Sequence, residues 1–143
     1  MSLFDAIAAG DRDAVRAELD RNPGQAGERD EDGLSPVLYA LANGRADLVE
    51  PILDANPALD VFDAAAVGRT RGLEELLETE AALVHARAAD GSTPLHLAAR
   101  FGQRGAAELL LEFGADAGAR DGDGRTPAEV AAGDTRELLG ADR

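Results

Sequence analysis

Four short apolar segments along the chain end in glycine: Ala6-Ile7-Ala8-Ala9-Gly10, Ala40-Leu41-Ala42-Asn43-Gly44, Ala64-Ala65-Ala66-Val67-Gly68 and Ala98-Ala99-Arg100-Phe101-Gly102. Eight and nine residues after the last three glycines stand the apolar pairs Ile52 and Leu53, Leu76 and Leu77, and Leu110 and Leu111; after the first stand Glu18 and Leu19. Gly10 to Gly44 is 34 residues, and Gly68 to Gly102 is again 34. Apolar positions recurring with a period near 33 predict stacked helical units, each too small to bury its own apolar face.

Within a unit the pattern predicts two short helices. In the clearest copy Thr93 caps the first helix and Pro94 takes its first position, where a missing N–H is no loss. Leu95, Leu97, Ala98 and Ala99 form its apolar face, and Gly102 ends it in a left-handed conformation. Ala106, Ala107, Leu109, Leu110 and Leu111 predict the second helix, closed by Gly114. Ser35-Pro36 and Thr126-Pro127 repeat the start signal. Between units lie Asp30-Glu31-Asp32-Gly33, Ala88-Ala89-Asp90-Gly91 and Asp121-Gly122-Asp123-Gly124, whose polar residues and glycines suit tight turns.

Thr93-Pro94-Leu95-His96-Leu97-Ala98 matches the T-P-L-H-x-A motif of the ankyrin repeat residue for residue. Leu109–Asp116 resembles that repeat's second-helix ending, and Asp121–Pro127 its turn and next helix start. The chain therefore resembles an ankyrin-repeat protein. The resemblance implies an all-α solenoid of stacked helix-turn-helix repeats: one domain, 1–143, with units 2–31, 32–58, 59–89, 90–122 and a shortened 123–143. It departs from the family pattern in three places. Gly44 to Gly68 spans only 24 residues, so the third unit lacks its turn and Thr-Pro start, and Asn56-Pro57 is the expected cap. Pro51 requires the second helix of unit two to start late or kink. The last unit keeps only Arg136–Leu139 of its second helix.

Composition narrows the function. The 143 residues are 45% hydrophobic but only 3% aromatic, so the core is built from Ala, Leu and Val. The formal charge of −14 comes from 28 acids against 14 arginines, with no lysine, and is spread along the whole length. Such a field opposes phosphate backbones and anionic membranes; it either favours a partner with a basic surface or does no more than keep the protein soluble, the commoner case. Cysteine is absent, which removes disulfides and thiolate ligands. With no secretory leader or membrane span in the sequence, a cytoplasmic monomer is expected, and the Ala- and Arg-rich composition points to a GC-rich bacterial genome.

Candidate chemistry is sparse. His96 beside Ser92, Thr93 and Asp90 could suggest a general base, but a triad also needs an oxyanion site and a pocket. The resemblance instead implies that its ring bonds neighbouring turns, making Thr93, Pro94, Leu95, His96 and Gly102 architectural. His85 stands alone, and two histidines without cysteine make a poor zinc site. Asp121–Gly124 fails as a calcium loop because the twelfth position is Ala132. With no phosphate loop either, no catalytic residue, metal or cofactor is expected.

What the resemblance implies is a non-enzymatic protein-interaction module that binds a partner through the concave side formed by turn tips and first helices. Carried over by position, that surface comprises Asp32, Leu34, Ala42 and Asn43; Ala66 and Val67; Asp90, Ser92, Arg100 and Phe101; and Asp123 and Arg125. Arg100 with Phe101 is its sharpest element, because Arg and aromatics dominate binding hot spots; the other reading of Phe101 is that it simply packs against the neighbouring unit. The alternative is a regulatory or inhibitory subunit that masks a basic site on a specific enzyme.

Overall fold

The computed structural model describes residues 2–140; residues 141–143, the end of the expected fifth unit, lie outside them. Among the described residues all regular structure is helical, as the pattern predicts. Backbone packing divides the chain into a first module, Met1–Ala58, and a second, Leu59–Arg143. The division falls at the boundary between the second and third expected units.

In the first module α1 (Leu3–Ala9) and α2 (Arg12–Arg21) are followed by a 3-10 turn, Pro23–Gly27. Then come α3 (Pro36–Ala42), a 3-10 turn at Ala46–Leu48, and α4 (Val49–Asp54). Ser2 caps α1 and is capped in return by Asp5, while Ser35 caps α3 with Pro36 at its first position. α1 packs on α3 and α2 on α4, burying Leu3, Ile7, Val15, Val37, Leu48 and Ile52 almost completely. Each such aliphatic side chain contributes about 1.5–3 kcal/mol on leaving water.

The second module begins with α5 (Val61–Val67) and α6 (Thr70–Thr79), followed by a 3-10 turn at Ala81–His85. α7 (Pro94–Arg100) and α8 (Arg104–Glu112) form the next pair, and the short α9 (Pro127–Val130) and α10 (Thr135–Leu138) close the array. First helices stack as α5, α7, α9 and second helices as α6, α8, α10. Their shared core is Val61, Leu73, Leu77, Leu95 and Leu110, with Ala64, Ala65, Ala98, Ala106 and Ala107 permitting close approach.

The two modules are copies. Residue i of 3–58 corresponds to residue i+58, without a gap: α1 to α5, α2 to α6, α3 to α7, and each 3-10 turn after a second helix to its counterpart. Phe4 matches Phe62, Asp5 matches Asp63, Gly10 matches Gly68, Gly33 matches Gly91 and Pro36 matches Pro94. The short Gly44–Gly68 step is thus the seam between two copies of a two-repeat module. Two sequence expectations change here. Asp60, in a reciprocal cap with Asp63, starts α5 in place of Asn56-Pro57. Asn56 instead takes a left-handed φ of 54° after α4, the place Gly114 holds after α8.

Pro51 acts as expected on the helix it interrupts. It is the third residue of α4 and offers no N–H to the carbonyl of Asp47, so the segment corresponding to the start of α8 winds as a 3-10 turn. The orphaned Asp47 carbonyl is taken instead by Nη1 of Arg12, at 2.5 Å.

Candidate interaction surface

Two of the three Asp/Gly turns share one side-chain hydrogen-bonding scheme. In the first, Oδ1 of Asp30 accepts from the N–H groups of Asp32 (2.9 Å) and Leu34 (2.8 Å). In the third, Oδ1 of Asp121 accepts from Asp123 (2.9 Å) and Arg125 (3.0 Å). The middle turn has Ala88 at that position, and Ser92 N–H turns instead to Oδ1 of Asp90, at 3.0 Å. An arginine precedes each turn and donates to the carbonyl of its glycine: Arg29 to Gly33, Arg87 to Gly91 and Arg120 to Gly124. Arg87 also reaches the carbonyl of Arg120 in the next turn, at 2.5 Å.

In the second module two of these turns pack backbone against backbone. Gly122 N–H donates to the Asp90 carbonyl at 2.9 Å. A Cβ on Gly91 would lie 2.6 Å from Gly122 N, and one on Gly122 would lie 2.5 Å from Asp90 O. His96 joins the same turns from beneath and is fully buried. Its Nδ1 accepts from Thr93 N–H at 3.1 Å, so Nε2 carries the hydrogen that is donated to the Arg125 carbonyl at 2.7 Å. Both ring nitrogens are therefore committed to backbone groups, and neither is free to take a substrate proton.

These contacts place the surface residues. Asp90 and Asp123 are exposed at the stacked tips, and Arg125 is exposed beside them. The Arg100 side chain retains 35% of its exposure and sits 3.9 Å from Oδ2 of Asp121, whose side chain is 4% exposed. The Arg125 N–H holds the Asp121 carboxyl below its usual range, helped by Asp123 N–H and the Arg100 guanidinium. Phe101 is half-buried at the end of α7. In the first module Asp32, Ala42 and Asn43 are exposed and Leu34 is half-buried; the Asn43 amide donates to the Tyr39 carbonyl at 2.7 Å.

Two expected surface residues are not on the surface. Ala66 has no exposed area, and its carbonyl accepts from Nε2 of Gln103 at 3.1 Å. From cap to closing glycine, α5 runs one residue shorter than α7. Counted from the cap, Ala66 thus matches the buried Ala99, about 100° around the helix from Arg100. Val67, next to it, is half-buried. Ser92 is likewise fully buried, in a turn against which the next turn packs. Among the described residues its hydroxyl has no hydrogen-bond partner. Missed from sequence was the ring pair of Phe4 and Tyr39, edge to face with centroids 5.2 Å apart; both are half-exposed. The half-conserved aromatic pattern between the two copies, Phe4 with Phe62 but Tyr39 with Leu97, was the available signal.

Residues 76–131 match the family model for ankyrin repeats (many copies), from the end of α6 through α9. Residues 76–131 carry ankyrin repeats. No curated protein matches the chain. Ankyrin repeats generally mediate protein–protein interaction. The first module falls outside the matched segment but reproduces α5 to α7, with the 3-10 turn and α4 in place of α8. Among the described residues no group of His, Cys, Asp or Glu side chains is placed to hold a metal ion, and no helix is long and apolar enough to cross a membrane.

Proposed function

We propose that this chain is a non-enzymatic protein-interaction module, acting as a cytoplasmic monomer, that engages a partner with a basic surface through its turn tips and the exposed ends of its first helices. The observation that carries the reading is the state of the charges at the tips. Arg29, Arg87 and Arg120 are turned onto backbone carbonyls of their own turns, while Asp32, Asp90 and Asp123 are exposed at the tips, Asp90 with one carboxylate oxygen on Ser92 N–H. A formal charge of −14 is thereby presented with its basic counterweights partly tied down. Val67, Arg100 and Phe101 supply the contact area next to the tips, with Asp32, Leu34, Ala42 and Asn43 as the corresponding set in the first module.

The test is retention of partners from source-cell lysate by wild type, by Asp90→Lys/Asp123→Lys and by Arg100→Glu/Phe101→Ala, all verified as folded by circular dichroism. A protein held by the wild type and lost by both variants supports the reading. Equal retention by all three overturns the assignment of the surface.

A second reading, in which the partner is an enzyme whose basic site is masked, rests on the same negative field. It requires affinity that falls steeply between 50 and 500 mM salt, where the screening length shrinks from about 14 to about 4 Å. Affinity insensitive to salt removes it.

A further inference from the structure

A cleft of about 360 Å³ opens between α2 and α4 in the first module, a volume within the range of ligand sites. It lies among second-helix residues, away from the turn tips. Leu19, Pro23, Pro51 and Ala55 make its apolar surface, and Asp20 on α2 and Asp54 on α4 bring carboxylates to it from the two sides. Arg16 stands one helical turn before Asp20. Among the described residues none of these three charged side chains forms an ion pair within 4.0 Å, so the two carboxylates are not neutralised by the single cation beside them.

The second module shows why the cleft exists. There the residue matching Ala55 is Phe113, which packs against the core, and the residue matching Pro51 is Leu109, which belongs to it. The first module has a methyl group where the other copy packs a phenyl ring against its core, which leaves less apolar material at this position. The first module thus carries a partly apolar cleft with one acidic group from each helix and a local charge of −1.

We propose that this cleft is a binding site for an arginine side chain of a partner protein. The methylene stem lies along Pro23, Pro51 and Leu19, and the guanidinium sits between Asp20 and Asp54. Arginine fits because its stem accepts apolar contact while its planar head pairs with carboxylates. Arg16 opposes the ligand and limits its affinity. The site is separate from the turn tips, so its failure leaves the interaction reading intact.

The experiment is an NMR titration of the full chain with Nα-acetyl-arginine amide, and with Nα-acetyl-citrulline amide as its neutral isostere. Saturable amide shifts are expected around residues 16–23 and 51–55 with the arginine probe, and weaker binding with the citrulline probe. Ala55→Phe, which copies the other module, should abolish binding. Asp20→Asn and Asp54→Asn should each weaken it about fivefold, and Arg16→Gln should tighten it by a similar factor. Equal affinity for the two probes, binding that survives Ala55→Phe, or no saturable shift in the wild type would each overturn the proposal. If Ala55→Phe does not fold, the opposite responses of Asp54→Asn and Arg16→Gln decide the matter.

Discussion

Residues 3–58 and 61–116 are two solutions of one design, and they differ where contact with a following turn begins. Gly33 and Gly91 occupy the same position with φ of 82° and 83°. A Cβ at Gly33 would meet nothing within 4 Å, whereas one at Gly91 would meet Gly122 N at 2.6 Å. Leu38 and His96 are likewise equivalent, but only the histidine reaches the next turn, through Arg125. The scaffold is therefore set by caps, glycines and the apolar pattern that both copies keep. The cohesion between successive turns is added by a few residues that only the second copy has.

The sharpest way to separate the two contributions is to substitute the paired glycines. Alanine at a left-handed position costs about 1–2 kcal/mol by itself, so Gly33→Ala should lose roughly that amount. Gly91→Ala should lose a further 1–3 kcal/mol or so from overpacking against rigid backbone. The measurement is the urea midpoint of each variant at unchanged slope. Equal losses would mean that the packing of turn on turn does not constrain the second module.

His96→Leu copies the first module into the second. It leaves Thr93 N–H without its ring acceptor and the Arg125 carbonyl without its donor, at a cost of about 2–3 kcal/mol. His96→Gln, able to donate to Arg125, should restore part of that loss. A leucine variant as stable as wild type would show that the ring adds nothing beyond filling volume.

Much of this architecture is legible in sequence. The period of 34 residues, the Thr-Pro and Ser-Pro starts and the closing glycines mark the helix pairs because each acts locally, through a cap or a left-handed φ. The 58-residue copy is hidden because its junction shortens one step to 24 residues, which reads as a deletion until α5 is seen to start at Asp60 as α1 starts at Ser2. The surface is less legible still. The resemblance assigns Ala66 and Ser92 to the partner face, but a cap-to-glycine span one residue shorter turns the first inward and a stacked turn covers the second. Position in a motif fixes backbone placement, whereas exposure depends on what packs against it. The cleft beside Ala55 is an absence, and only comparison with Phe113 exposes it.

A subtler difference lies at Pro51. Arg12 compensates there for a backbone bond that the second module, with Leu109, makes for itself. Arg12→Ala in the wild type should cost about 1 kcal/mol, and in a Pro51→Leu background close to nothing, because the new N–H can reach the Asp47 carbonyl. The coupling from this double-mutant cycle is the readout. Zero coupling would mean that the Arg12 contact is incidental to the proline.

The smallest expected effect is a gain. Ala88 is the one turn position where the second module lacks the carboxylate that Asp30 and Asp121 supply. Ala88→Asp should offer acceptors to the N–H groups of Asp90 and Ser92, releasing Asp90 from its own turn. The expected stabilisation is about 0.5–1 kcal/mol, reduced from a buried bond because the tip is solvated. Its pH dependence identifies the mechanism. Asp121 in the same geometry has its pKa lowered from 3.8, chiefly by Arg125 N–H. A carboxyl so lowered contributes stability that is complete above its unfolded value and is lost as pH falls through the folded one. The gain from Ala88→Asp should therefore be full at pH 6–7, shrink as pH falls below about 4, and vanish once the carboxyl is protonated in both states. Thermal melts of wild type and variant from pH 7 to 2.5 measure it. A gain that persists at pH 2.5 would have to come from something other than the carboxylate, and the turn scheme shared by Asp30 and Asp121 would not be its cause.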